Sequence, residues 1–116
     1  MEAVWLGAVE ARFADLVWEH APLTTVQLVA VCEDYFGWRR TTTYTVLKKC
    51  CRRGLFSMED SMVTCLLTRD QFYLLQAQAV LEKGFGGSLP AFLAAYAKET
   101  TLTEETRAAL RKITEE

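Results

Sequence analysis

The segment between Gly37 and Gly54 constrains the fold of this chain more than any other. It reads "GWRRTTTYTVLKKCCRRG". At about 100° per residue, one side of a helix here carries its small and apolar side chains, Thr43, Val46, Leu47 and Cys50. The other side carries polar and basic side chains, Thr41, Tyr44, Thr45, Lys48, Lys49 and Arg52. We expect a helix that packs by one face and presents a cationic face outward.

The distribution of charge tells more than its total. The 116 residues have a formal net charge of −2, which argues weakly against indiscriminate binding of polyanions. Residues 39–53 hold six basic and no acidic side chains, whereas residues 1–38 hold one basic and six acidic ones. Such a concentration on one element is typical of nucleic-acid contact. The alternative is a solvated helix face whose last cations only complement the helix dipole.

Two helices are predicted before the basic one. The first covers about residues 2–20, with an apolar stripe of Trp5, Val9, Phe13, Leu16 and Val17. Pro22 breaks it, and Thr24 with Gln27 forms a capping-box pattern that begins the second helix. This second helix is expected to bury Leu28, Val31, Cys32 and Tyr35 and to end at Gly37.

A short β-rich segment and three more helices follow. The stretch "LFSMEDSMVTCLL" predicts a two-stranded hairpin bent at residues 59–61. Thr68 with Gln71 predicts a helix to about residue 84, with a stripe of Phe72, Leu75, Ala79 and Val80. Ser88 and Thr103 predict the starts of two further helices. Three helices and a hairpin form a winged helix-turn-helix, a mainly α fold with a small β-hairpin, whose second and third helices bind DNA.

The last third of the chain is too apolar for an exposed tail. It either extends the same core or associates with a second copy, and we favour association because an isologous dimer suits a two-fold operator. We therefore expect residues 1–68 to form the DNA-binding domain and residues 69–116 a helical dimerisation region. The expected dimer contacts are Leu75, Phe85, Leu89, Phe92, Leu93, Tyr96, Leu110 and Ile113.

The cysteines give no sign of a metal or catalytic site. Cys32, Cys50, Cys51 and Cys65 are expected to be reduced thiols that pack as small core residues. The alternative is a thiol sensor, since neighbouring cations would lower a thiolate pKa. Their spacing matches no common zinc pattern, and the one histidine, His20, is expected to be a surface or capping residue.

The sequence lacks the common enzyme and membrane patterns. It has no HExxH, GxSxG, P-loop or GxGxxG motif, so we expect no catalytic residue, no cofactor and no small-molecule substrate. No apolar run approaches the roughly 18 residues of a membrane span. The start of the sequence lacks the pattern of a signal peptide. We expect a cytoplasmic protein with no membrane insertion.

Three segments in order resemble the penicillinase and methicillin-resistance repressors, the BlaI/MecI family, which also includes the copper-responsive CopY repressors. "LVWEHAPLTTVQLV" resembles the family's end of helix one, its turn and the start of helix two. "GWRRTTTYTVLKKCCRRGL" resembles its recognition helix, and "FGGSLPAFLAAYAKETTLTEETRAALRKI" its dimerisation region. The resemblance implies a homodimeric winged-helix repressor that binds a dyad-symmetric operator in double-stranded DNA. The alternative is a protein-interaction module that keeps the scaffold with weak or no operator binding.

The resemblance also implies roles for single residues. Positions that match the family's base-proximal residues are Thr41, Thr42, Tyr44 and Thr45. Positions that match its basic residues near phosphate are Lys48, Lys49 and Arg52. Arg39 replaces the usual serine, which loses an N-cap worth about 1 kcal/mol and adds a cation next to Arg40. Arg39 and Arg40 complete the predicted DNA-binding set.

Three differences from the family pattern bear on regulation or on DNA contact. In the β-lactam branch, a pathway with a membrane sensor-protease inactivates the repressor by cleavage in the dimerisation helices, typically at Asn-Phe. Here the candidate cleavage site is Ala95-Tyr96. The copper branch uses a C-terminal Cys-x-Cys motif, and no cysteine follows Cys65, so copper sensing is not expected. The wing "SMEDSM" is short and acidic, so Glu59 and Asp60 should repel phosphate.

Overall fold

The computed structural model describes residues 5–115, so residues 2–4 of the predicted first helix lie outside the described part. Contacts divide the chain into two compact units, Met1–Ala77 and Gln78–Glu116. The functional boundary after residue 68 stays a prediction. None of the described helices is long and apolar enough to cross a membrane.

Six helices and three short strands are formed by the described residues. In chain order they are α1 (Ala8–His20), β1 (Leu23–Thr24), α2 (Thr25–Phe36), α3 (Arg40–Arg52), β2 (Phe56–Glu59), β3 (Met62–Cys65), α4 (Arg69–Phe85), α5 (Leu89–Glu99) and α6 (Glu104–Thr114). The predicted mainly α fold, with three helices before a hairpin and three after it, is confirmed.

The predicted helix starts are confirmed by their hydrogen bonds. Gln27 N donates to Thr24 Oγ1 at 3.1 Å, and Thr24 N donates back to Gln27 Oε1 at 2.8 Å. Thr68 and Gln71 form the same reciprocal pair. The hydroxyls of Ser88 and Thr103 each accept an amide of the following helix at 3.1 Å. These bonds satisfy amides that have no partner inside the helix.

The predicted first helix was too long at its start. It begins at Ala8, because Gly7 has an extended backbone and its N–H donates to the Glu10 carboxylate at 3.3 Å. Phe13, Leu16 and Val17 are buried as expected, but Trp5 and Val9 are exposed. His20 ends the helix half-buried, with Nδ1 2.9 Å from Leu16 O, in agreement with a capping role.

The buried stripe of α2 is narrower than predicted. Leu28 and Cys32 are buried, and Gly37 ends the helix at φ 68° as expected. Val31 is only half-buried and Tyr35 is exposed, which corrects the prediction. The Tyr35 ring packs edge-on against His20 instead, with centroids 6.4 Å apart. An amphipathic tyrosine at the end of a helix can pack this way without entering the core.

The hairpin is part of a three-stranded antiparallel sheet in the order β1-β3-β2, where two strands were predicted. β2 and β3 pair from Phe56–Cys65 to Glu59–Met62. Asp60 and Ser61 make the turn at φ 51° and 61°, as two-residue hairpin loops require. Strand β1 was missed because two residues are too short to show alternation.

The core of the first unit is closed by aromatic side chains. Phe13, Phe56 and Phe72 are almost fully buried, and Trp18 packs against Phe56 and Phe72 at centroid distances of 5.7 and 5.8 Å. Trp18 Nε1 also donates to Leu67 O at 3.0 Å. The start of α4 thereby belongs to this core through Phe72.

The predicted stripe of α4 is only half correct. Phe72 and Ala79 are buried, whereas Leu75 and Val80 are exposed. Helical spacing identifies an apolar face but does not say whether anything covers it.

The second unit begins within α4 and contains α5 and α6. Gly86 and Gly87, at φ 58° and 78°, form the turn into α5, and a Cβ at Gly87 would lie 2.9 Å from the Glu82 carboxylate. Phe92 packs between Phe85 and Tyr96, with centroids 5.5 and 6.0 Å apart. Among the described residues, α5 and α6 bury no side chain. The large apolar side chains of α5 and α6 are therefore all at least partly exposed.

The cysteines are mostly the packing residues that were expected. Cys32 and Cys50 are buried and Cys51 is half-buried, but Cys65 is exposed, which corrects its assignment to the core. Burial raises the pKa of Cys50 to about 12, against the weaker opposing effect of Arg53 and Lys49. The flanking cations do not produce the reactive thiolate that a sensor would need.

We expect iodoacetamide to distinguish the thiols of the folded protein at about pH 8. Cys65 should react first because it is exposed, whereas Cys32 and Cys50 should react only on unfolding. Peptide mass spectrometry after timed quenching gives the order. In the urea-unfolded control all four should react at similar rates, and fast labelling of Cys50 in the folded protein would contradict its burial.

Candidate nucleic-acid interface

The orientation of α3 is fixed by its buried face. Thr43, Val46, Leu47 and Cys50 are all buried, as predicted from their spacing. They pack toward α1, α2 and β2, the elements that contact α3. The polar and cationic side chains lie on the opposite face and are turned to solvent.

The exposed face of α3 has a centre and two edges. Thr41, Thr45, Lys48 and Arg52 recur every three or four residues and lie along its centre. Arg40 and Tyr44 lie on one edge, and Thr42 and Lys49 on the other. All are exposed except Tyr44, which is half-buried. Arg39 precedes the helix as its exposed N-cap and makes no side-chain capping bond, as its replacement of serine predicted. The structure thus brings the nine predicted DNA-binding residues together on one surface.

The cations of this surface are not held by acidic groups. Within residues 5–115 the ion pairs are made by Arg53, Arg69 and Arg111, none of which belongs to the predicted set. Lys48, Lys49 and Arg52 therefore keep their charge available for an anionic partner. Thr45 Oγ1 donates to Thr41 O at 2.9 Å, which leaves the oxygen of that hydroxyl free to accept a bond.

Tyr44 is held from two sides. The Arg40 guanidinium lies 5.5 Å from the centre of its ring. A hydrogen bond with Thr25, and then the neighbouring Arg40, lower the pKa of the phenol. Thr25 is the first residue of α2 and is buried. The phenol therefore lies where the N-terminal ends of α2 and α3 meet.

Arg53, the sixth cation of the basic segment, faces away from this surface. Its guanidinium donates to Trp5 O and lies 3.4 Å from the Glu10 carboxylate of α1. Arg53 follows α3 as its C-cap and sits close to the buried side of the helix. Net charge counted along the sequence could not separate this structural cation from the exposed ones.

The acidic wing is tied to the start of α2. Glu59, Asp60 and Ser61 are exposed, as expected for a hairpin tip. Ser61 O accepts a hydrogen bond from Thr25 N at 2.9 Å, and β1 pairs with β3 at Thr24–Met62. The sequence predicted the acidic charge of the hairpin tip, but it did not predict the hydrogen bonds that join the hairpin to the start of α2.

One feature of the surface was missed altogether. A notch of about 80 Å³ lies between the N-terminal parts of α2 and α3 and is lined by Val26, Val29, Arg40 and Tyr44. The available signal was Val26, an apolar residue in the first turn of α2 that does not share the spacing of Leu28 and Cys32.

The predicted dimer residues are spread over three helices. Leu75 lies on α4 in the first unit, and the others lie in the second unit. Phe85 and Phe92 are half-buried, whereas Leu89, Leu93, Tyr96, Leu110 and Ile113 are exposed. The candidate cleavage pair, Ala95-Tyr96, is part of α5.

A wider cleft of the first unit lies beside the exposed thiol. Its volume is about 470 Å³, and it is lined by Asp15, Trp18, Glu19, Cys65, Thr68 and Arg69. Arg69 is paired there with Asp15 at 3.1 Å. Among the residues that the structure describes, no group of three metal-binding side chains comes together.

Comparison with known proteins agrees with this architecture. The family model of the penicillinase repressors matches residues 6–116, nearly the whole chain. No curated protein sequence gives a significant match. The matched range includes α3 and the helices that follow the wing, the same segments that carry the resemblance in sequence. This chain therefore belongs to the penicillinase repressor family, a family of transcriptional repressors rather than of enzymes.

Proposed function

We propose that this protein is a sequence-specific repressor that binds a dyad-symmetric operator as a homodimer. The observation that carries the proposal is the division of α3 into a buried apolar face and an exposed face with three unpaired cations, Lys48, Lys49 and Arg52. The second helix of a helix-turn-helix pair lies in the major groove with such a face toward the DNA.

The two ends of the exposed face suit different parts of the duplex. Thr41, Thr42 and Thr45 are short and lie toward the N-terminal end of α3, where side chains approach base edges. Lys48, Lys49 and Arg52 lie toward its C-terminal end and can neutralise phosphates. Arg39 and Arg40 add two cations at the start of the helix. Threonines would then read bases, and the basic residues would set register and affinity.

Homodimerisation is supported by the uncovered surface of the second unit. Leu89 and Leu93 on α5, and Leu110 and Ile113 on α6, are exposed. The two residues on each helix are three or four positions apart and so share one face of it, and large exposed apolar patches mark interaction sites. A second copy of the chain would cover them through a two-fold interface, which matches the symmetry of a dyad operator.

Release by proteolysis is a further part of the proposal. The Ala95-Tyr96 pair lies inside α5, and cleavage there would separate Phe92 from α6 in the chain. A membrane sensor-protease pathway would thereby remove part of the proposed dimer surface. Because a protease needs an extended substrate, α5 would have to open locally before cleavage.

The acidic wing favours the alternative of an interaction module. Glu59 and Asp60 lie at the exposed tip of the hairpin, where a wing would approach phosphate. Repulsion at this point would weaken operator binding without affecting the fold. Measuring DNA affinity directly separates the two functions.

We expect Lys48→Ala and Arg52→Ala to weaken binding to duplexes from the protein's own promoter region, with a smaller dependence on salt. Each phosphate contact contributes about 0.9 to the slope of log affinity against log salt, so the slope should fall by about that amount per lost contact. Fluorescence anisotropy between about 50 and 200 mM salt measures both quantities. Arg53→Ala is the matched control. It removes the same charge from the same segment but breaks the contact with Glu10, so it should lower stability and leave the salt slope nearly unchanged.

Operator recognition by α3 would be contradicted if Lys48→Ala, Arg52→Ala and Arg53→Ala all gave the same slope of log affinity against log salt. It would also be contradicted if the wild-type protein showed no sequence-preferring binding. An interaction module would keep its protein partner when Lys48, Lys49 and Arg52 are neutralised together.

We expect Ile113→Glu to convert the protein from dimer to monomer at micromolar concentration. Ile113 is 68% exposed, so the charge costs the monomer little but would be buried in a dimer. Sedimentation equilibrium measures the mass. Ala108→Glu introduces the same charge on the opposite side of α6 and should leave the dimer intact. A wild-type protein that sediments as a monomer would refute the dimer.

A further inference from the structure

The geometry points to a second base-reading element outside the exposed threonines of α3. The notch lined by Val26, Val29, Arg40 and Tyr44 receives the 5-methyl group of a thymine in the major groove, so Val26 of α2 helps to determine sequence specificity. This inference rests on the proposed DNA-binding function and adds a determinant to it.

The lining of the notch suits an apolar group, and its size admits one. Its volume is about 80 Å³, and a site that holds one water molecule, a group comparable in size to a methyl, needs only roughly 10–15 Å³. Val26 and Val29 provide aliphatic walls, and the Tyr44 ring provides an aromatic one. Val26 is 75% exposed although it lies in the first turn of a well-packed unit. Its side chain is therefore available to a ligand at no cost to the core.

The position of the notch selects DNA as the occupant. It opens between the N-terminal parts of α2 and α3, and the cation of Arg40 forms part of its lining. Neither first turn contains an acidic residue, so the N-terminal ends of both helix dipoles stay favourable to phosphate. The thymine methyl is the apolar group that base pairs present in the major groove.

The aromatic wall is held in place before any ligand binds. The Tyr44 phenol lies beside the Thr25 side chain, and the Arg40 guanidinium lies 5.5 Å from the centre of the ring. Thr25 is itself buried, and its amide donates to Ser61 O at 2.9 Å. A wall anchored to two elements loses little conformational freedom on binding, so contact with a small group can still contribute to affinity.

Deoxyuridine tests the inference, because it lacks only the 5-methyl group and keeps the hydrogen-bonding edge of thymine. Duplexes that the wild-type protein prefers are first selected from a randomised library. Each thymine is then replaced singly by deoxyuridine and the dissociation constant is measured. We expect a symmetry-related thymine at which the replacement weakens binding about fourfold per methyl group, the fold-change that corresponds to about 0.8 kcal/mol.

If the inference is correct, the loss of affinity caused by deoxyuridine must depend on the side chains that line the notch. In Val26→Ala and Tyr44→Ala the thymine and uracil duplexes should bind almost equally at that position. Val9→Ala is the matched control, because Val9 is also exposed, at 55%, and lines a separate cleft with Arg12, Tyr35, Phe36 and Trp38. This variant should keep the wild-type preference for thymine.

The outcomes separate the inference from the function on which it rests. The role of the notch is refuted if no position of a selected duplex is sensitive to uracil, or if that sensitivity persists in Val26→Ala. Either result leaves operator binding intact. If selection yields no preferred duplex, the proposed function fails and the inference fails with it.

Discussion

The burial of one face of α3 is the constraint on which the candidate interface depends. Leu47 and Cys50 are almost fully buried and fix the rotation of the helix about its axis. A rotation by a single residue, about 100°, would carry cations into the core, where an unpaired charge is very unfavourable. The apolar half of the helix therefore determines where the charged half points. Arg53 strengthens this arrangement from the end of the helix through its contact with Glu10.

The two units differ in how much of their apolar surface they bury. The first closes a core around Phe13, Phe56 and Phe72. In the described part of the second, α5 and α6 bury no side chain and keep leucines at the surface. If a second copy covers those helices, the stability of the second unit becomes dependent on protein concentration, whereas that of the first does not. Losing the partner would then loosen the helix that contains Ala95-Tyr96.

Local rules predicted much of this structure from the sequence. The capping pairs Thr24/Gln27 and Thr68/Gln71 gave the starts of two helices, because each pair forms within four residues. The faces of α3 followed from spacing alone. Contacts between residues distant in sequence account for much of what spacing could not predict, because Tyr35 packs on His20 and Arg53 turns toward Glu10. The notch was missed for the same reason, since its walls come from two helices. Strand β1 was missed because two residues are too short to show alternation.

The bond between Thr25 N and Ser61 O links the position of the wing to the start of α2. An amide at the start of a helix needs an acceptor, and here the residue that follows the Thr24–Met62 pair in the ladder supplies it. The strand pairing of β1 with β3 therefore continues directly into the first turn of α2. A change in the pairing of the hairpin would thus be passed on to the helix that packs beside α3, even though neither segment belongs to the recognition helix.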